Sequence, residues 1–322
     1  MKAIRIEKNG GPEVLQWVDV DLPAPGAGQV RVKHTVIGVN FIDTYHRSGL
    51  YKLPLPTGLG SEAAGVVDAL GDGVTTLKIG DRVAYAGAMG AYAEANNVPA
   101  DRLVKIPEGV SDEVAAASLL KGMTAQYLLK RTYPVQKGQT IVLHSAAGGV
   151  GLIAGQWAKH LGCTVIGTVG HDDKIALAKE NGSAHVLSTR DPEWPKKVRE
   201  LTKGEGVPVV FDSIGKDTFA GSLDCLAVRG MMVSFGNSSG AAPAVEPGLL
   251  SAKGSLYLTR PTLASYTRNK QELQETADDL FAVIKSGAVK VAVHQRFKLS
   301  EAGKAHEALH SGKTTGATVL IP

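Results

Sequence analysis

Cysteine is scarce: the 322 residues hold only Cys163 and Cys225. Two thiols cannot build a disulfide framework or a four-cysteine zinc lobe, and such usage suits a reducing compartment. Long apolar runs are missing too. No stretch is long enough to cross a bilayer, and the opening MKAIRIEKNGG enters a strand-like alternation without the apolar core of a secretory leader. A cytoplasmic protein that needs no membrane is the expectation. Blocks of one charge are absent as well. Lys and Arg number 35 against 31 Asp and Glu, a formal net charge of +4. The basic residues are scattered, with no basic aromatic motif, which argues against a nucleic-acid partner.

What remains is an ordinary globular mix, 43% hydrophobic and 20% charged, with length for two domains. Residues 1–115 are β-rich. Gly and Pro punctuate short apolar runs at Ile4 and Ile6, Val30 to Val36, Ala63 to Ala69, Arg82 to Ala86 and Leu103 to Ile106. Strands this closely spaced, with few helical patterns, predict a compact barrel-like module. Near residue 112 the pattern changes: Ser111 is a candidate N-cap for an Ala-rich helix. From residue 140, strands (TIVLH, TVIGTV, HVL, VPVVFD, GMMVSF) alternate with helical spacing such as Leu152, Ala154, Trp157 and Leu161. That alternation predicts an α/β fold with a doubly wound parallel sheet covered on both faces. A helix near 269–286, a strand near 291–297, a short helix and the closing ATVLI break the rhythm and are expected to return to the first module. The expected division sets 1–120 and 261–322 against 121–260.

The run Val142-Leu143-His144-Ser145-Ala146-Ala147-Gly148-Gly149-Val150-Gly151 fits a dinucleotide fingerprint, with Ala146, Gly148 and Gly151 in the three glycine slots. The first slot needs a tight turn, the second a close backbone approach to the pyrophosphate, and the third close packing of helix on strand. A helix opening near Val150 would offer unpaired N–H groups and a positive dipole end to phosphate. An apolar strand before, an amphipathic helix after and a second strand from Thr164 lift the motif above a merely structural turn. An NAD site usually carries Asp or Glu at the end of the second strand. Here Val169-Gly170 stand there, which favours NADP, with Lys174 placed to meet a 2′-phosphate. Asp172 and Asp173 are read as caps of the next helix.

At this point the chain resembles the medium-chain dehydrogenase/reductase superfamily, and most closely its zinc-free quinone oxidoreductases, the zeta-crystallin-like group. The pieces that carry the likeness are Gly38 to Tyr45, Arg47 to Tyr51, Gly60 to Gly65, Gly80 to Val83 and Ser234 to Gly240. The resemblance covers nearly the whole chain and implies a Rossmann domain beside a β-rich GroES-like barrel domain. Where zinc enzymes of the superfamily carry a catalytic Cys and a His, this chain has Asn40 and Ser61. No thiolate is left nearby for a catalytic zinc, so no metal is expected, and chemistry that leans on a Lewis acid loses its support. An acceptor already electron-poor fits, a quinone first and an enone next.

By resemblance, Asn40 and Asp43 lie near the nicotinamide or its ribose, and Tyr45 and Tyr51 line the acceptor pocket, expected in the cleft between the domains. A Tyr can stack on a flat ring and offer its O–H to an oxygen that gains charge; ordinary packing is the alternative for each. Further cofactor contacts implied are Tyr127, Ala146, Gly148, Gly149, Val150, Gly151, Gly170, Lys174, Ser213, Phe235, Gly236, Asn237 and Ser238. Thr189 departs from the pattern, since relatives place a Tyr there near the adenosine. A homodimer is implied, through an edge strand near 254–259. The expected function is an NADPH-dependent quinone oxidoreductase, with an NADPH-dependent enone or 2-alkenal (double-bond) reductase, or a non-catalytic NADPH-binding protein, as alternatives.

Two motif matches are set aside. His306-Glu307-Ala308-Leu309-His310 has the H-E-x-x-H spacing of zinc proteases, but no third ligand follows, and Ala302, Ala305 and Leu309 make the apolar face of a packing helix. Gly236-Asn237-Ser238-Ser239-Gly240 fits the hydrolase elbow G-x-S-x-G, which needs a helix directly after it. Ala242-Pro243 and Glu246-Pro247 follow instead, so an esterase is not supported.

Overall fold

Short apolar runs broken by Gly and Pro become short strands in the computed structural model, which describes residues 1–322. In chain order these are β1 (Lys2–Ile6), β2 (Gln16–Asp19) and β3 (Gln29–Val39), helix α1 (Phe41–Ser48), then β4 (Thr57–Gly58), β5 (Glu62–Leu70), β6 (Arg82–Ala86), β7 (Ala95–Pro99) and β8 (Val104–Lys105). Helix α1 is an element the strand pattern does not announce. Its start is fixed by Asp43, whose Oδ2 accepts the Asn40 N–H at 2.9 Å, the reach-back half of a capping box. Helix α2 (Asp112–Tyr127) follows and passes into a π-helical turn over Leu128–Thr132. Ser111 caps it as expected, its Oγ accepting the Val114 N–H at 3.2 Å.

Then strand and helix alternate: β9 (Thr140–Leu143), α3 (Gly149–His160), β10 (Thr164–Val169), α4 (Ile175–Glu180), β11 (Ser183–Ser188), α5 (Trp194–Leu201), β12 (Val207–Asp212), α6 (Phe219–Asp224), β13 (Leu226–Ser234), α7 (Pro247–Ala252) and β14 (Tyr257–Thr259). These strands form one sheet in the order β11-β10-β9-β12-β13-β14, every pair parallel. This is a doubly wound sheet whose order reverses at β9 and β12, the place where such folds bind ligands. Its central strands are buried throughout at Ile141 to Leu143 and Val209 to Asp212, because helices cover both faces.

The remaining elements are α8 (Lys270–Lys285), β15 (Val293–Lys298), α9 (Ala302–His310) and β16 (Ala317–Ile321). β16 pairs antiparallel with β3, in a sheet ordered β15-β16-β3-β5-β6-β8 with β7 also on β3; β2-β1-β4 make a smaller sheet. By contact the chain forms two units, one of Met1–Met123, Thr267–Lys285 and Val291–Pro322, the other of Thr124–Tyr266 and Ser286–Lys290. The divisions differ by a few residues from those expected at 120 and 260, for physical reasons. Lys121 pairs with Glu62 of the first unit at 3.1 Å. Tyr266 stacks on Tyr127 of the second unit, centroids 4.5 Å apart and planes at 8°. Ser286–Lys290 joins the second unit because Gln156 exchanges hydrogen bonds with the Lys290 backbone at 2.9 and 3.1 Å. The first unit's core is built on Val30, Val32, Ile37, Val83, Tyr85 and Leu320, the second's on Val142, Ile166, Val210, Phe219 and Met232. No helix is long and apolar enough to cross a membrane.

Gly151 is where α3 and the turn after β9 come closest. A Cβ there would stand 2.1 Å from the Ser145 carbonyl oxygen and 2.8 Å from Ala146 backbone atoms. Backbone cannot move aside cheaply, so Gly151→Ala is expected to destabilise the protein by about 1–3 kcal/mol in urea unfolding. Gly170→Ala, with nothing within 4 Å of its added Cβ, should change stability by less than about 0.5 kcal/mol.

Candidate functional site

The second unit gathers its site at the carboxyl ends of five parallel strands. After β9 the ladder runs one step further, with His144 N–H donating to Phe211 O and Ala146 N–H to Thr168 O at 3.0 and 2.9 Å. Ser145 then turns the chain at φ 52°. The left-handed residue of this turn is thus Ser145, and Ala146 occupies the first glycine slot without strain. Gly148 is the N-cap of α3, whose first N–H groups have no partner within the helix. Together they make an anion cradle.

After β10, Gly170 is exposed with open space beside it. Lys174 follows in a short 3-10 turn, and burial holds its ammonium below the usual lysine range against the opposing effect of Asp173. Asp172 and Asp173 lie inside that turn and make no capping hydrogen bond; His171 is its N-cap. The expected capping role is therefore replaced by a place in the first turn. Thr189, just past β11, donates from both its N–H and its Oγ1 to Val169 O at 2.9 and 3.3 Å.

After β12, Asp212 is fully buried and organises the next loop. Oδ1 accepts the N–H groups of Ile214 and Gly215 at 2.7 and 3.0 Å, and Oδ2 accepts the hydroxyls of Thr218 and Ser222, both at 2.8 Å. The loop so fixed places Ser213, whose Oγ donates to Ser145 Oγ at 3.1 Å across the point where the strand order reverses. After β13, Phe235 N–H donates to Asp212 O at 2.7 Å and Ser238 N–H to Ser213 O at 3.3 Å. A Cβ on Gly236 would stand 2.4 Å from Ser213 O. The predicted residues Ser213, Phe235, Gly236, Asn237 and Ser238 are thus one double loop. Tyr127, on α2, stacks on Tyr266, which also carries the Arg131 guanidinium over its ring at 5.1 Å, and Arg260, whose charge reaches the Tyr127 hydroxyl, donates to Ser234 O at 3.0 Å at the end of β13.

Sequence reasoning missed the support beneath these loops. His144 is buried and neutral, its pKa lowered by loss of water despite the nearby Asp212. Its ring nitrogens meet Thr168 Oγ1 and Ser222 Oγ at 2.7 and 2.9 Å, and Trp194 packs edge-on. Ser222, His144 and Asp212 are not a nucleophilic triad: Ser222 gives its hydrogen to Asp212, and all three are closed to solvent.

The first unit holds Asn40, Asp43, Tyr45 and Tyr51 on and around α1. Tyr45 and Tyr51 are half-buried and meet edge to face at 5.3 Å. Asn40 donates from Nδ2 to Glu62 Oε2 at 2.8 Å, and Lys121 Nζ meets the same oxygen at 3.1 Å. Asp43 is fully buried and accepts three hydrogen bonds, from Asn40 N–H, from Ser61 Oγ at 2.9 Å and from the Tyr92 hydroxyl at 3.0 Å. Behind Tyr92 stands His306, with Nε2 at 2.9 Å, and behind His306 stands Arg47, with Nη1 at 3.1 Å from Nδ1. Arginine has no acceptor. His306 therefore accepts at Nδ1, carries its proton on Nε2 and donates to Tyr92, which donates to Asp43. The packing helix expected at His306 is present with Ala302, Ala305 and Leu309 buried, but His306 is also a member of this polar chain, 259 residues from Arg47.

The same arrangement speaks against a metal. Asn40 and Ser61, at the places read as lost zinc ligands, are committed to Glu62 and Asp43, and no three His, Cys, Asp or Glu side chains are grouped to hold a metal ion. The cradle of Gly148 to Gly151, the space at Gly170 and the double loop from β12 and β13 do fit a dinucleotide.

Residues 26–108 match the family model described as alcohol dehydrogenase GroES-like domain, and residues 149–282 the one described as zinc-binding dehydrogenase. A quinone oxidoreductase of Pseudomonas aeruginosa is 52% identical over 323 residues, covering 100% of this chain and 99% of that protein. The chain belongs to the quinone oxidoreductases of the medium-chain dehydrogenase/reductase superfamily. A 2-haloacrylate reductase of a Burkholderia species is 44% identical over 326 residues, 98% of each chain. Among solved structures, an Escherichia coli quinone oxidoreductase complexed with NADPH superimposes with a TM-score of 0.98 at 49% identity, covering 100% of both chains. The family and the α/β architecture expected from the sequence are borne out; the description of the 149–282 model names a zinc that the donor set of this family member does not fit.

The buried groups of the first unit set opposite pH dependences. Loss of water, with Arg47 and His310 adding repulsion, depresses His306 to about 3 from an ordinary 6.5. Unfolding in that window takes up a proton, so the stability His306 allows is full above pH 6.5 and is lost as the pH falls toward 3. His34, buried against Tyr85 and depressed to about 4 by loss of water, acts in the same direction. Burial raises Asp43 to about 6 from 3.8, against its three donors and Lys121. Its contribution is full below about 3.8 and is lost as the pH rises through 6. Two histidines outweigh one carboxyl, so stability should fall from pH 6.5 to pH 4. In His306→Gln the slope should shrink by about 1.4 kcal/mol per pH unit, one proton, in urea unfolding across that range.

Proposed function

We propose that the chain is an NADPH-dependent quinone oxidoreductase that works without a metal. The observation that carries this is the gathering of the candidate dinucleotide residues at the carboxyl ends of β9 to β13, with open space and no carboxylate at Gly170. The cofactor, when bound, supplies the hydride; this chain supplies placement. Helix α3 and the turn at Ser145 meet the pyrophosphate, and the double loop at Ser213 and Phe235 to Ser238 holds the nicotinamide half. Asn40, with its amide N–H on Glu62, is the candidate contact to a ribose hydroxyl or a carboxamide. Asp43 acts through Asn40 and the start of α1, which carries Tyr45. Tyr45 and Tyr51 present aromatic faces to a flat acceptor and O–H groups to an oxygen gaining charge.

The 44% identity to a 2-haloacrylate reductase keeps the reduction of a polarised double bond as a second reading. NADPH binding without turnover is a third. Assays of NADPH oxidation against a panel of quinones and enones separate them: quinone-dependent oxidation is expected, and tight NADPH binding with no acceptor reduced would leave only the third. With a quinone, kcat/KM should be higher with NADPH than with NADH; equal values would sink the NADP assignment. Tyr51→Phe should lower kcat/KM for quinone about tenfold, the loss of one hydrogen bond to developing charge, and leave NADPH affinity unchanged. A cytoplasmic homodimer joined at the outer strand β14, where Tyr257 is exposed, completes the reading, and light scattering should return twice the chain mass.

A further inference from the structure

Arg190 stands one residue beyond Thr189, on the loop after β11, and its guanidinium has a single side-chain hydrogen bond, from Nη2 to His171 Nε2 at 3.1 Å. Because arginine cannot accept, His171 Nε2 is the acceptor in this contact. No carboxylate neutralises Arg190. The acids beside it are taken: Asp191 pairs with Lys197, and Glu193 faces Lys196 at 3.8 Å. His171 belongs to the loop after the neighbouring strand β10, and the Thr189–Val169 bonds fasten the two loops together. A Cβ added at Gly170 would meet nothing within 4 Å, and Asp172 and Asp173 lie exposed on the turn that follows, which also carries Lys174.

A doubly wound sheet places the 2′ position of the adenosine ribose at the end of its second strand, here β10. Thr189 spends its hydroxyl on Val169 O, so it has no hydrogen to donate there. We infer that Arg190, steadied by His171, is a residue that binds the 2′-phosphate, beyond the Lys174 expected from the sequence, and that it sets the preference of this chain for NADPH over NADH. The inference rests on the cofactor reading above. A guanidinium that spends one N–H on an imidazole nitrogen keeps its others for a phosphate dianion, which it can grip with two of them.

Titration calorimetry of the full chain with 2′,5′-ADP and with 5′-AMP tests this. Arg190→Ala is expected to weaken 2′,5′-ADP at least about tenfold, the effect of removing a charge-assisted pair, and to leave 5′-AMP within twofold. The NADPH-to-NADH ratio of kcat/KM should fall by the same factor, and Arg190→Lys should recover part of it. A 2′,5′-ADP affinity within twofold of the unsubstituted chain in Arg190→Ala overturns the role of Arg190. If the unsubstituted chain binds 2′,5′-ADP no tighter than 5′-AMP, it is the NADP reading itself that fails. Arg190 is exposed, so thermal unfolding of the variant should match that of the parent and exclude misfolding as the cause.

Discussion

A carboxylate taken out of water must be met by donors, and both units are arranged around that demand. Asp212 draws two backbone N–H groups and two hydroxyls onto itself, and in doing so fixes the loop that carries Ser213. Asp43 draws the Asn40 N–H, Ser61 and Tyr92, and in doing so fixes the start of α1. Glu62 takes the Asn40 amide, the Lys121 ammonium and the Leu120 N–H. Removing one of these donors would leave a buried carboxyl short of a hydrogen bond, which costs about 1–3 kcal/mol. The candidate site residues are therefore held by charge satisfaction more than by apolar packing.

How much of this was legible in the sequence depended on the range of the interaction. The alternation of strands and helices from Thr140 onward is local periodicity, and it predicted the parallel sheet. The missing acid at Gly170 is likewise a matter of spacing from the fingerprint. Helix α1 was hidden because its eight residues lie between closely spaced strands and its capping acid, Asp43, replaces the usual Glu or Gln. His306 was read as packing because its partners Tyr92 and Arg47 are 214 and 259 residues away, a separation that leaves no periodic trace. Arg190 was one basic residue among many scattered ones, and only the neighbouring loop with His171 distinguishes it.

Asn40 and Ser61 show how uncharged polar side chains serve buried carboxylates. Ser61 completes the hydrogen bonding of Asp43, and Asn40 that of Glu62. The carboxylates anchor polar side chains. Lys121, nearly closed to solvent, balances the charge of Glu62, so the pair is neutral overall and can stay buried.

The sense of the chain from Arg47 through His306 and Tyr92 to Asp43 has one more consequence. A proton wire works only if every link can turn round, giving on one side and receiving on the other. Arg47 can never receive, so the line is closed at that end. It behaves as an insulated dipole that steadies negative charge at Asp43 and cannot conduct protons in from the Arg47 end. Any proton that a reduced acceptor gains must come by another route.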